Sequence, residues 1–154
     1  MNSQMNRQMT TQWLAEETST HQDHVIAHAI GASVLGYFVL DEALHVLLDI
    51  GFVWTIYLDG QMVLLPQTAA LQELEVDAEI KNELGREIEL LDRDGREALG
   101  LERFTPAPVD CLITEVAFFA NEECRRLVLI GEAGNLTIET SLVTAEIEVV
   151  GSLN

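Results

Sequence analysis

The chain has 154 residues, 48% of them hydrophobic, and 8 basic against 26 acidic side chains, a formal net charge of −18. That length and apolar content suit one globular domain, able to hide about 68–70% of its unfolded surface without staples, and they exclude disorder of the whole chain. The charge excludes phosphate-driven nucleic-acid binding and adhesion to anionic membranes, both of which need clustered cations; it suits solubility, and binding of cations or of a basic protein partner.

Residues 1–20 are polar, rich in Gln, Asn, Thr and Met, and lack the apolar centre of a secretory signal. A short helix is predicted over 11–17, with Thr11 as its cap and Trp13 and Leu14 as its apolar contacts. Residues 21–154 are expected to form the single α+β domain. The longest apolar run, 25–40, is interrupted by His28, two glycines and a serine and is followed by Asp41 and Glu42. It falls short of the about 20 residues that a spanning helix needs. The expectation is a cytoplasmic, bacterial-type soluble protein.

From His24 to Leu40 nearly every residue is apolar, so periodicity alone does not choose between buried helix and buried strand. Gly31, Gly36 and the run Val34, Tyr37, Phe38, Val39 point to strand for the second half, while the first half stays open. Over 41–50 a helix is predicted: Asp41 caps it, Leu44, Leu47 and Leu48 form its apolar stripe, and Gly51 stops it. The stretch 52–66 reads as two strands about Asp59-Gly60, a favoured type I′ hairpin turn. Over 68–91 Val76, Ile80, Leu84 and Ile88 recur at helical spacing, with Asp77 placed to cap a second piece. The end of this region is open, because 87–101 also reads as a hairpin about Asp94-Gly95.

After a proline-containing loop, 111–120, 125–132, 135–144 and 145–151 read as successive strands, and Glu146 and Glu148 alternate with Ile147 and Val149 as a sheet with one wet face requires. The predicted fold is α+β: a mixed or mainly antiparallel sheet with a C-terminal β-meander and two or three helices packed on one face.

All four histidines fall between His21 and His45. If 21–28 is helical, His21, His24 and His28 lie within about 60° of one another around the axis, and His24 and His28 at i, i+4 could chelate zinc or another divalent metal. If it is a strand, His24 and His28 stand about 13 Å apart and share no ion. The spacing is that of H-E-x-x-H, but Val25 stands where the general base would be. On the predicted 41–50 helix, Glu42, His45 and Asp49 share one stripe, and Glu42-x-x-His45 matches a ligand pair of di-iron bundles. One such pair in one chain leaves the stripe better read as a solvated helix face.

Cys111 and Cys124 are placed by the meander about 30 Å apart along the strands, beyond any disulfide; Cys111 reads as a small buried hydrophobe, and Cys124 beside Arg125 and Arg126 as a thiol without a histidine partner. Phosphate-loop, dinucleotide and nucleophile-elbow motifs are missing. Tyr37, Phe38, Phe52, Trp54 and Tyr57 crowd into one stretch, which reads mostly as core. The same stretch is the first place to look for an apolar ligand pocket, built on Tyr37, Trp54 and Tyr57 with His45 or His28 at its rim. Glu115, an acid inside an apolar strand, belongs either at a sheet edge or facing that pocket.

Three functional expectations follow. The first is a non-catalytic binding or assembly domain, working as a homodimer. The second is a metal-binding protein or metal-dependent enzyme using His21, His24, His28 and His45 with Glu42 and Asp49. The third is a domain that binds a small apolar ligand at the aromatic cluster.

Overall fold

The computed structural model describes residues 12–154. It is α+β, with two five-stranded antiparallel sheets and three helices among the described residues. The predicted 11–17 helix is instead a strand, β1 (Leu14–Glu16), and its proposed cap Thr11 lies outside the described residues. β1 pairs with Phe118–Ala120, so its backbone is satisfied by a partner too distant in sequence to be read locally.

Helix α1 (Thr20–Ala29) follows. Ser19 starts it with a capping box: its side chain accepts from the Gln22 N–H at 3.1 Å, and the Gln22 side chain accepts from the Ser19 N–H at 2.9 Å. This reciprocal satisfaction of two orphan donors settles the helix-or-strand ambiguity in favour of helix through Ala29. Strand begins again at Val34. β2 (Val34–Leu40), β3 (Ala43–Leu48), β4 (Phe52–Tyr57) and β5 (Met62–Pro66) form a meander, with the short β6 (Thr105–Pro106) added beside β2. Gly36 permits that addition, because a Cβ there would come within 2.9 Å of the Thr105 carbonyl oxygen.

The helix predicted over 41–50 does not form. Asp41 and Glu42 are the two-residue turn between β2 and β3, both at positive φ (50° and 61°), with Leu40 paired to Ala43. The reason lies in packing. All six residues of β3 are buried; Leu44, Val46 and Leu48 face one core and Leu47 the other. A strand wet on neither face loses its polar alternation, and its leucines then imitate a helical stripe.

The turn at Asp59-Gly60 also differs from expectation. Tyr57 donates its N–H to the Gln61 carbonyl at 2.7 Å, leaving Leu58, Asp59 and Gly60 as the loop, and of these only Gly60 has positive φ. A three-residue loop with one left-handed glycine replaces the two-residue type I′ turn.

The region predicted as helical over 68–91 is two helices, α2 (Gln67–Glu73) and α3 (Ala78–Asp94), and Asp77 caps the second by accepting from the Ile80 N–H at 3.0 Å. α3 runs to Asp94 and closes in a 3-10 turn over Gly95–Glu97, so the alternative hairpin about Asp94-Gly95 is absent. The C-terminal meander is β7 (Ile113–Ala120), β8 (Cys124–Gly131), β9 (Gly134–Ser141) and β10 (Ile147–Leu153), in the order β1-β7-β8-β9-β10.

The two sheets face each other across a shared core. Val46, Leu48, Trp54 and Ile56 from the first meet Phe118, Leu127, Leu129 and Ile138 from the second, with Val25 and Ala29 of α1 in the same cluster. The chain crosses between sheets where Gly31 donates to the Ile113 carbonyl and Val34 to that of Cys111. The other face of the first sheet is covered by α2 and α3 through Ala70, Leu84, Ile88 and Leu91. The layers are therefore sheet, sheet and helices, with β3 and β4 in the middle.

Glu87 on α3 is fully buried. Its carboxylate accepts from the backbone N–H groups of Glu102, Arg103 and Phe104 at 2.9–3.1 Å. A buried carboxylate is tolerated only with such partners, and here they seat Phe104 edge-on to Phe38 with ring centroids 4.8 Å apart. Glu87→Ala leaves three amide donors without an acceptor and is expected to lower the unfolding free energy by about 2 kcal/mol or more; a loss below about 0.5 kcal/mol in urea titration, the level of an ordinary surface change, would contradict this role. At the strained β2–β3 turn the sign reverses: Glu42→Gly relieves a left-handed non-glycine residue and should raise stability by about 1 kcal/mol, seen as a higher melting temperature.

Candidate functional site

β3 and β4 carry His45 and Thr55 side by side onto the helix-covered face of the first sheet. Both are buried (8% and 6% exposed), with His45 Nδ1 3.0 Å from Thr55 Oγ1. The imidazole stacks on Phe38, ring centroids 4.6 Å apart. Burial pushes its pKa below the ordinary 6.5, against opposing pulls from the Leu40 carbonyl and the Asp41 carboxylate. A neutral ring results at neutral pH, able to donate or accept one hydrogen bond.

The pair lines a cleft of about 350 Å³ with Tyr57, Leu74 and the acids Asp41, Glu73 and Glu75 among its other residues. A hydroxyl against an imidazole is the pairing that activates nucleophiles. Here the hydroxyl is itself buried under the helices, so it positions the ring and is poorly placed to attack a substrate. The cleft offers an imidazole edge, a phenol and carboxylates, the chemistry of a small polar or cationic ligand.

The remaining histidines lie elsewhere. His21, His24 and His28 are all exposed on α1, and the rings of His24 and His28 approach to 5.3 Å between centroids, edge to face. Glu42 sits at the hairpin turn, and Asp49 is exposed beyond β3, where its carboxylate accepts from the Ser33 N–H at 2.9 Å. With 41–50 formed as hairpin and strand, Glu42 and His45 are no longer one helical turn apart. Among the described residues no three His, Cys, Asp or Glu side chains gather in a metal-holding group.

The aromatic residues divide in the same way. Trp54 is fully buried, its indole N–H donating to Met62 Sδ at 3.3 Å. Tyr37 packs at the edge of the inter-sheet core, and Tyr57 is 44% exposed and borders the His45 cleft. Glu115 is exposed on β7, beyond the stretch covered by β1, so the sheet is locally at its edge there. Cys111 is buried, and desolvation raises its thiol pKa; Cys124 is free and half-buried.

A second feature, the outward face of the second sheet, has no local signature in the sequence. Arg126 on β8 is ion-paired with Glu139 on β9, its Nε 2.8 Å from Oε1, and its guanidinium lies 4.1 Å over the ring of Trp13. Phe119, Val128, Thr137 and Val150 share a shallow groove with this pair, and no helix or strand among the described residues covers them. A polar side chain in an alternating strand looks solvated from sequence alone; the cross-strand pairing that links Arg126 to Glu139 exists only in the register of β8 with β9.

Comparison with protein-family models, with curated proteins and with solved structures finds no match. Among the described residues no helix is long and apolar enough to cross a membrane.

The lowered His45 pKa fixes a sign. The unfolded chain takes up this proton near 6.5 and the folded chain resists it, so the folded state loses stability as pH falls below about 6.5. The difference in unfolding free energy between wild type and His45→Gln should therefore shrink or reverse between pH 7.5 and 5, followed by chemical denaturation; a difference independent of pH would show that the ring is not held neutral.

Proposed function

We propose that the chain is a non-catalytic binding or assembly domain that works as a homo-oligomer, most simply a twofold dimer. One observation carries this reading: the first sheet is covered on both faces, whereas the second presents a mixed outward face (Phe119, Val128 and Val150 beside Arg126, Glu139 and Glu148) and a seven-residue edge strand, β10, to solvent among the described residues. An edge strand with open backbone groups, beside exposed Val150 and Leu153, supports an interaction site there. The His45 cleft gathers Tyr57, Asp41, Glu73 and Glu75, but its imidazole is held by Thr55 and Phe38, the α1 histidines stand on another element, and Glu87 is spent on backbone amides, which favours binding over acid–base or metal chemistry.

Association of like-charged chains is opposed by their net charge of −18 each, and salt screens that repulsion. Native mass spectrometry and sedimentation of the untagged chain at micromolar concentration should find a species of twice the chain mass, more populated at higher salt. A monomer at every concentration and salt level would refute the assembly reading.

A further inference from the structure

We infer that β10 is a self-recognition edge: it pairs antiparallel with β10 of a second copy about a twofold axis at Val150, joining the two second sheets into one ten-stranded sheet. This inference rests on the assembly reading and specifies its contact.

The four outer edges of the two sheets differ sharply. β1 has three residues, and the part of β7 it leaves uncovered carries the exposed acid Glu115 and a register shift between Ile113 and Glu115; β6 has two residues, one of them Pro106; β5 ends in Pro66 and has α1 beside it, where Gln22 Nε2 donates to the Gly60 carbonyl at 3.2 Å. β10 has seven residues, Ile147–Leu153, with no proline, lysine or bulge, the devices that normally blunt an exposed edge. Its side chains include Val150 at 52% and Leu153 at 78% exposure.

Hydrogen-bond parity then restricts the register. Ser141 donates to the Glu146 carbonyl, and Asn154 to that of Ala133. In an antiparallel ladder hydrogen-bonded residues alternate, so even-numbered residues of this stretch bond to β9. Ile147, Val149, Gly151 and Leu153 therefore turn their N–H and C=O groups outward. Antiparallel self-pairing must match odd residues with odd ones. Centring it on Val150 sets Ile147 opposite the partner's Leu153, Val149 opposite the partner's Gly151, and Glu148 opposite the partner's Ser152. All seven residues then pair.

Registers shifted toward the β9–β10 turn do worse. Centring on Val149 leaves Leu153 opposite the β9–β10 turn, and centring on Glu148 opposes two carboxylates, which destabilises a cross-strand pair. The Val150 register also suits the side chains. On the outward face it joins two valines at the axis, each ending the cross-strand row Val128, Thr137, Val150 of its own sheet. On the inner face the partner's Val149 meets Gly151, whose missing side-chain volume is filled by the Pro108 ring, 2.9 Å from where a Cβ would stand.

The test is cysteine cross-linking of the full chain in a Cys124→Ser background. Residues facing each other in a non-hydrogen-bonded antiparallel pair have Cα atoms about 4.5 Å apart, within disulfide reach. Val150→Cys is expected to form a disulfide-linked dimer under mild oxidation. Glu148→Cys and Ser152→Cys should each stay unlinked alone and link when mixed. Val150→Glu, which places two carboxylates at the axis, should reduce the dimer to monomer at unchanged far-UV circular dichroism, since Val150 is half-exposed in the single chain. A wild-type monomer would sink the assembly reading and this inference together. A wild-type dimer whose Val150→Cys variant stays unlinked and whose Val150→Glu variant stays dimeric would leave assembly standing and overturn the β10 register. Binding of an unrelated extended peptide in place of a second copy would overturn it too.

Discussion

The structure depends on one strand being buried from both sides. β3 lies between β2 and β4, with the second sheet over Leu44, Val46 and Leu48 and the helices over Leu47. A six-residue segment in that position has no wet face to mark its period, so it must be apolar throughout or satisfy every polar group it carries. Its one polar side chain, His45, meets that condition through Thr55 on the next strand and through stacking on Phe38. Trp54, across from Val46 on β4, fills the centre of the same core and finds its own partner in Met62.

The polar groups in the interior are few and each does mechanical work. Glu87 holds the backbone of Glu102–Phe104 against α3 and thereby places Phe104 on Phe38, which in turn lies against His45. The helix layer, the returning loop and the His45 cleft are thus joined by one chain of contacts. Such a chain ties the ionisation of a side chain in the middle layer to the packing of the outer one, because close-packed interiors relax little when one member changes charge.

The acidic balance also acquires a spatial meaning. The acids crowd the helices and turns, whereas the outward face of the second sheet neutralises Glu139 with Arg126 and covers that cation with Trp13. Glu148 stands across from Glu139 on that face.

Short-range signals carried part of this fold. The α+β class, the C-terminal meander and the capped start of α3 at Asp77 all follow from alternation, helical spacing and a cap, signals that span a few residues. The Ser19 to Gln22 capping box was present in the same form and identifies α1 once its spacing is noticed. Long-range packing set the remainder. It turned Asp41 and Glu42 into a hairpin turn and 43–48 into strand, since burial on both faces erases the pattern that distinguishes strand from helix. It made β1 out of a polar segment by offering it the edge of β7, and it separated the four histidines onto an exposed helix and a buried strand. It also buried Glu87, because the three amides that compensate its charge lie some fifteen residues away and no local pattern couples them.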